Sequence, residues 1–141
     1  VQASTRNRIA ATFSAAAMLV GCAVTLGAGS AVAAPSAEFS AHPMQSDGSR
    51  SIYVKRNGKV VGAGKWIANG DILRAEDQES DGYYITAVLS TGRDVNTKGK
   101  PAPSKADDAG NLPEDKTYTM FVCIGNDSTG LHCSGNYSVR S

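Results

Sequence analysis

The sequence predicts an all-β protein: a small antiparallel β-sandwich or partly open barrel with one disulfide hairpin, preceded by a signal peptide. Three observations carry this reading. After residue 50 the apolar residues alternate with period two in short runs bounded by Gly, Pro, Asn and Asp. No window of helical period and useful length occurs there. The last third of the chain holds Cys123 and Cys133, placed symmetrically about Ser128.

The N-terminal region is read as a leader. Arg6 and Arg8 form a basic start, no charge appears from Ile9 to Ala34, and the run ends in Ala31-Val32-Ala33-Ala34-Pro35, an A-x-A cleavage site. Residues 1–34 are therefore expected to be a secretory signal, cleaved near Ala33 or Ala34. A membrane anchor is disfavoured by the Ala, Gly and Ser content of the run. Leu19-Val20-Gly21-Cys22 resembles a lipobox, yet the chain stays apolar after Cys22, where lipoproteins turn polar. Taking Arg6 and Arg8 from the 14 Lys and Arg leaves 12 against 13 Asp and Glu. Such a near-neutral chain offers no basic patch for nucleic acid. About 107 residues remain, enough for one core.

Residues 35–50 are polar and show no strand pattern, so a flexible segment is expected there, with the sandwich domain over 51–141. Ile52–Arg56 and Lys59–Ala63 flank Asn57-Gly58, the strongest two-residue hairpin signal. That spacing predicts Val54 opposite Val61 and Ile52 opposite Ala63. Leu73 and Ala75 alternate over 71–75, as do Tyr83, Ile85, Ala87 and Leu89 over 83–89, and both read as half-buried strands. The polar stretch Ser90–Asp115, with its prolines, reads as a long surface connection with room for a short edge strand. Tyr118–Val122 and Leu131–Val139 form the last hairpin. Cys123 and Cys133 then face each other, and an exported chain keeps such a pair oxidised. Their spacing fits neither a CxxC redox pair nor a four-ligand zinc set.

Asp77-Gln78-Glu79-Ser80-Asp81-Gly82 looks like the start of a calcium loop. Asp77, Glu79 and Asp81 would take the first side-chain positions, with Glu76 nearby, but Val88 stands where a bidentate Glu is required, and the flanking period is two. A solvated acidic tip turning at Asp81-Gly82 is expected, with weak calcium binding as the rival. No cofactor is expected. Catalysis is not expected either: His42 lies in the polar N-terminal segment, and His132 and Ser134, two apart on a strand, stand about 6 to 7 Å apart. Trp66 reads as a core anchor or an exposed platform. The residues expected to meet a partner are Phe39 and Met44, isolated apolar side chains in the polar segment, with Trp66 and Tyr83. Two Asn-x-Ser sequons, at Asn126 and Asn136, are read as coincidence.

The series Gly70-Asp71, Asp77 with Asp81-Gly82, Asn111-Leu112, Phe121-Val122-Cys123 and His132-Cys133-Ser134-Gly135 resembles a group of small secreted actinobacterial β-sandwich proteins. Some of that group resemble the adaptor subunit of the umbrella toxin particles of Streptomyces, antibacterial assemblies in which an adaptor joins a toxin repeat polypeptide to a lectin subunit. The resemblance covers about half the chain, from Gly70 to Ser141. It implies a secreted, non-enzymatic adaptor that uses an N-terminal strand for one partner and the sandwich for the other. The group often carries a second disulfide, which this chain lacks. Expected partners are thus other secreted proteins, with no nucleic acid and, once processed, no membrane. The alternatives are a proteinaceous inhibitor of a secreted hydrolase, presenting the Ser90–Asp115 connection, and a small carbohydrate-binding module resting on Trp66, Tyr83 and Tyr84.

Overall fold

Residues 32–141 are described by a computed structural model of the chain. Most of the leader and Cys22 lie outside the described residues. Ten strands make two antiparallel sheets packed face to face. The first sheet has the order β1-β2-β3-β4-β7, from Glu38–Ala41, Arg50–Arg56, Lys59–Ile67, Ile72–Asp77 and Ser104–Ala109. The second has the order β10-β8-β5-β6, from Tyr137–Arg140, Thr117–Asn126, Tyr84–Leu89 and Asp94–Asn96, with β9 (Gly130–Cys133) also on β8.

The core is the set of inward rows that strand alternation predicts. Ile52, Val54, Trp66, Leu73, Ala75 and Ala106 come from the first sheet, with Val61 joining them from an irregular point of β3; Ile85, Ala87, Leu89, Val95, Met120, Val122, Ile124 and Val139 come from the second. Asn57 and Gly58 both take positive φ, 51° and 76°, as a type I′ turn requires. The register beyond that turn differs from expectation by one residue. Lys55 pairs with Val60, but Val54 pairs with Gly62 and Ile52 with Gly64, leaving Val61 as the extra residue of a bulge. A one-residue slip exchanges the faces of a strand. Glycines instead of Val61 and Ala63 therefore stand on the inner row, and the reason is steric. A Cβ on Gly62 would lie 2.5 Å from Ile85 Cγ1, and one on Gly64 would collide with Val122 Cγ2, so the bare backbone lets the second sheet close in.

Three further expectations are corrected. The segment over 35–50 is not a free tail: β1 pairs with β2 along four residues, Phe39 opposite Val54. Its alternation is short and polar, and it is held by tertiary contacts instead. Phe39 packs on the core and meets the His132 ring edge-on at 5.3 Å, and His132 Nδ1 lies 3.0 Å from the Pro35 carbonyl oxygen. Ser90–Asp115 contains two short edge strands, β6 and β7, where a connection with room for one was expected; β7 is faint in the sequence because only Ala106 is buried. Leu131–Val139 is two strands. Between them Ser134 Oγ accepts the Val122 N–H while the Ser134 N–H donates to the Val122 carbonyl, so one side chain bridges the gap.

The disulfide expectation holds. Cys123 and Cys133 are direct partners in the β8–β9 ladder, 4.0 Å apart at Cα, and are joined. Among the described residues no helix is long and apolar enough to cross a membrane.

A candidate binding cleft at one end of the sandwich

Antiparallel order sorts the loops to two ends. One end carries the segments over 42–49, 68–71, 90–93 and 110–116, together with Ser141. It is knitted by its own polar groups. Asp71, at φ 49° in a tight turn, accepts the Leu112 N–H at 2.6 Å. Arg93 Nε meets Asp108 at 2.9 Å, its Nη2 donates to the carbonyls of Asp71 and Asp108, and its guanidinium lies 5.9 Å from the Trp66 ring centroid. Arg140 Nη2 donates to the Ser46 carbonyl and Ser141 Oγ to that of Pro113. These bonds draw the end together and leave one hollow of about 270 Å³ between Asp47, Asn69, Glu114 and Arg140.

The other end gathers the Asn57-Gly58 turn, the loop over 78–83, the loop over 97–103 and the turn over 127–129. Here ion pairs fix the loops but leave space between them. Arg56 meets Asp81 at 2.8 Å and Lys59 meets Glu79 at 2.5 Å, tying the acidic loop to the first hairpin. Lys98 meets Asp127 at 2.7 Å, Tyr84 Oη lies 3.3 Å from Asp127, and Asn126 Nδ2 donates to the Gly82 carbonyl. The Lys98 hydrogen bond holds the Asp127 carboxyl below the ordinary range, and burial raises the Tyr84 hydroxyl. Thr97, 1% exposed, continues the β5 edge: its Oγ1 accepts the Ile85 N–H and its own N–H donates to the Ile85 carbonyl.

Between the two loops lies a cleft of about 330 Å³, lined by Asp77, Tyr83, Tyr84, Thr97, Lys100 and Ala102 among others. A second hollow of about 380 Å³ adjoins it along β4 and β7, lined by Glu76, Asp77, Gln78, Pro103, Ser104 and Lys105. Asp77 belongs to both. It follows Leu73 and Ala75 on the inner row of β4, where it faces Gly62 across one ladder and Ser104 across the other. It is 6% exposed, and its Oδ1 accepts the Glu79 N–H at 3.1 Å. Burial, with Asp81 and Glu79 adding negative charge nearby, raises its pKa above the ordinary value.

Several residues singled out from the sequence fall elsewhere. Tyr83 lines the cleft, with the Arg56 guanidinium 4.7 Å from its ring centroid. Trp66 is not a platform. It is 1% exposed in the core, and its Nε1 donates to the Arg140 carbonyl at 2.9 Å. Met44 is exposed but at the opposite end, and Phe39, on the edge strand β1, is half-buried. The acidic loop does not converge on a point: Glu76 pairs with Lys65, Glu79 with Lys59 and Asp81 with Arg56. Among the described residues no group of three or more His, Cys, Asp or Glu is placed to hold a metal ion. His132 and Ser134 do not meet, since one faces Phe39 and Pro35 and the other holds β8. Thr97, Lys100, Ala102 and Ser104 were not evident from sequence, because topology alone brings them beside Asp77. For Asp77 a signal did exist: its spacing from Leu73 and Ala75 places it indoors.

Fold and site together define a class, a disulfide-bonded antiparallel β-sandwich with a tyrosine-walled cleft at one end. In comparisons with protein-family models, curated protein sequences and solved structures, nothing matches the chain.

Proposed function

We propose that the chain is a secreted, non-enzymatic protein-binding module that offers the cleft at its Asn57-Gly58 end to another secreted protein. One observation carries the reading: at this end ion pairs fix the loops around a cleft of about 330 Å³ walled by Tyr83 and Tyr84, with a second hollow of about 380 Å³ beside it, whereas the opposite end is drawn together by internal hydrogen bonds around one smaller hollow of about 270 Å³. Loops held on a rigid sheet lose little freedom on binding, which favours recognition. The disulfide fits an oxidising compartment and supports export. His132 and Ser134 have structural duties, which supports a role without catalysis.

The resemblance found in the sequence makes the module an adaptor in an extracellular toxin particle, its partners a toxin repeat polypeptide and a lectin subunit. With β1 held in its own sheet, the part assigned to a free N-terminal strand passes to the cleft. The inhibitor alternative keeps the loop over 97–103 as its presenting segment, since β6 and β7 take up 3 and 6 residues of Ser90–Asp115. The carbohydrate alternative loses Trp66 to the core and keeps Tyr83 and Tyr84, which line the cleft. Immobilised protein should capture a specific secreted partner from culture supernatant, identified by mass spectrometry, and Lys100→Glu at the cleft rim should abolish that capture. Undiminished capture by this variant, or potent inhibition of a purified secreted hydrolase, overturns the proposal.

A further inference from the structure

We propose that the place where the cleft and the adjoining hollow share Asp77 receives a cationic side chain of the protein partner, the guanidinium of an Arg or the ammonium of a Lys, with Asp77 as its counter-ion and Ser104, on the side of the hollow, as a second hydrogen-bonding group. This deepens the binding reading above and rests on it. Four carboxylates lie between Glu76 and Asp81, and three of them meet a basic side chain of this chain. The fourth, Asp77, is the most buried and among the described residues pairs with no cation. The charges acting on it are Asp81 and Glu79, both negative. Its one recorded partner is a backbone N–H two residues on, a contact that an exposed carboxylate supplies equally well.

A second and independent observation points to the same spot. Ser104 stands directly opposite Asp77 in the β4–β7 ladder, and its Oγ is buried with no hydrogen-bond partner. The unpartnered Ser104 hydroxyl is costly unless a donor or acceptor completes it, and the Asp77 carboxylate beside it, bonded through Oδ1 to the Glu79 N–H, has no counter-charge among the described residues. The chain's own cations do not. Lys100 Nζ donates to the Lys105 carbonyl at 3.1 Å, and Lys105 stands opposite Glu76, on the outer row. A guanidinium offers five donors and a lasting charge, which suits a carboxylate flanked by a hydroxyl. Tyrosines on the cleft wall suit a cation as well, and the chain already sets Arg56 over Tyr83 and Lys98 over Tyr84.

The test is an amide-resolved NMR titration of the folded protein with Nα-acetyl-arginine methylamide and its neutral citrulline analogue. The arginine probe should move the amides of Gly82, Gly99 and Ser104, and citrulline should bind about tenfold or more weakly, the scale of one charge-assisted hydrogen bond. Asp77→Asn keeps an oxygen for the Glu79 N–H, so it should fold with an undiminished melting temperature while losing arginine affinity by a similar factor. Equal binding of the two probes, undiminished arginine binding by Asp77→Asn, or shifts remote from the cleft overturn the inference. Partner capture separates this from the broader reading. If Lys100→Glu abolishes capture while Asp77→Asn preserves it, the cation inference fails and the binding cleft stands. If neither substitution affects capture, both fall.

Discussion

Trp66 holds the middle of the core and, through its indole N–H, the Arg140 carbonyl of the last strand. Trp66→Phe removes that donor and part of a fully packed ring, and should destabilise the fold by about 2 to 4 kcal/mol in urea titrations, with the spectrum of a folded protein retained. Asp77 makes the opposite kind of contribution. Its folded-state pKa is raised above the ordinary 3.8, so in the window just above that value the folded chain binds more protons than the unfolded one. Stability from this group therefore rises as pH falls through the window and is smallest at neutral pH. Asp107 runs the other way, because the hydrogen bond from Arg74 lowers its pKa and the benefit is lost in acid. Asp77→Asn should equal or exceed the wild type in urea midpoint at neutral pH, the gap closing in acid. A lower midpoint for the variant at neutral pH would show that the charge itself holds the fold.

At the scale of elements, the closest approach of the two sheets runs through β3. Gly64→Ala forces a methyl into Val122, so the urea midpoint should fall by the equivalent of about 1 to 3 kcal/mol, whereas the same change at Gly58 meets no neighbour and is limited by its turn geometry alone. Reducing the β8–β9 disulfide reopens a short loop, with a residue separation of 10, and should lower stability by about 2 to 3 kcal/mol in melts with and without reductant. What the sequence made legible follows from these same elements. Asn57-Gly58 and the cysteine symmetry are local signals, and both hairpins are found. The bulge at Val61 is not local, since it answers a steric demand from Ile85 and Val122 on the other sheet. Strand β7, Ser-Lys-Ala-Asp-Asp-Ala, could not be placed within the Ser90–Asp115 connection because it buries one side chain in six, and its position is set by the ladder to β4 and by Arg74 Nε on Asp107 at 2.6 Å.

Over the whole molecule, the N-terminal strand is structural. Removing residues 35–41 strips Phe39 from the core and bares the edge of β2, so the melting temperature should fall clearly, and a melt unchanged by that deletion would show β1 to be dispensable. The cleft escaped the sequence reading for a related reason: its walls come from segments over 77–84 and 97–102 that have no common pattern and meet only because β4 hands the chain to the opposite sheet. A similar long-range dependence governs β8. One edge of Thr117–Asn126 takes β5, and the other is shared by β10 and β9. A ribosome thus releases the meander of β1 to β4 early, but the second sheet lacks its central strand until the last quarter of the chain has emerged. Until then Ile85, Ala87 and Leu89 have no partner strand on that side, and an unfinished polypeptide stays open, its apolar row bare to whatever surrounds it until β8 arrives.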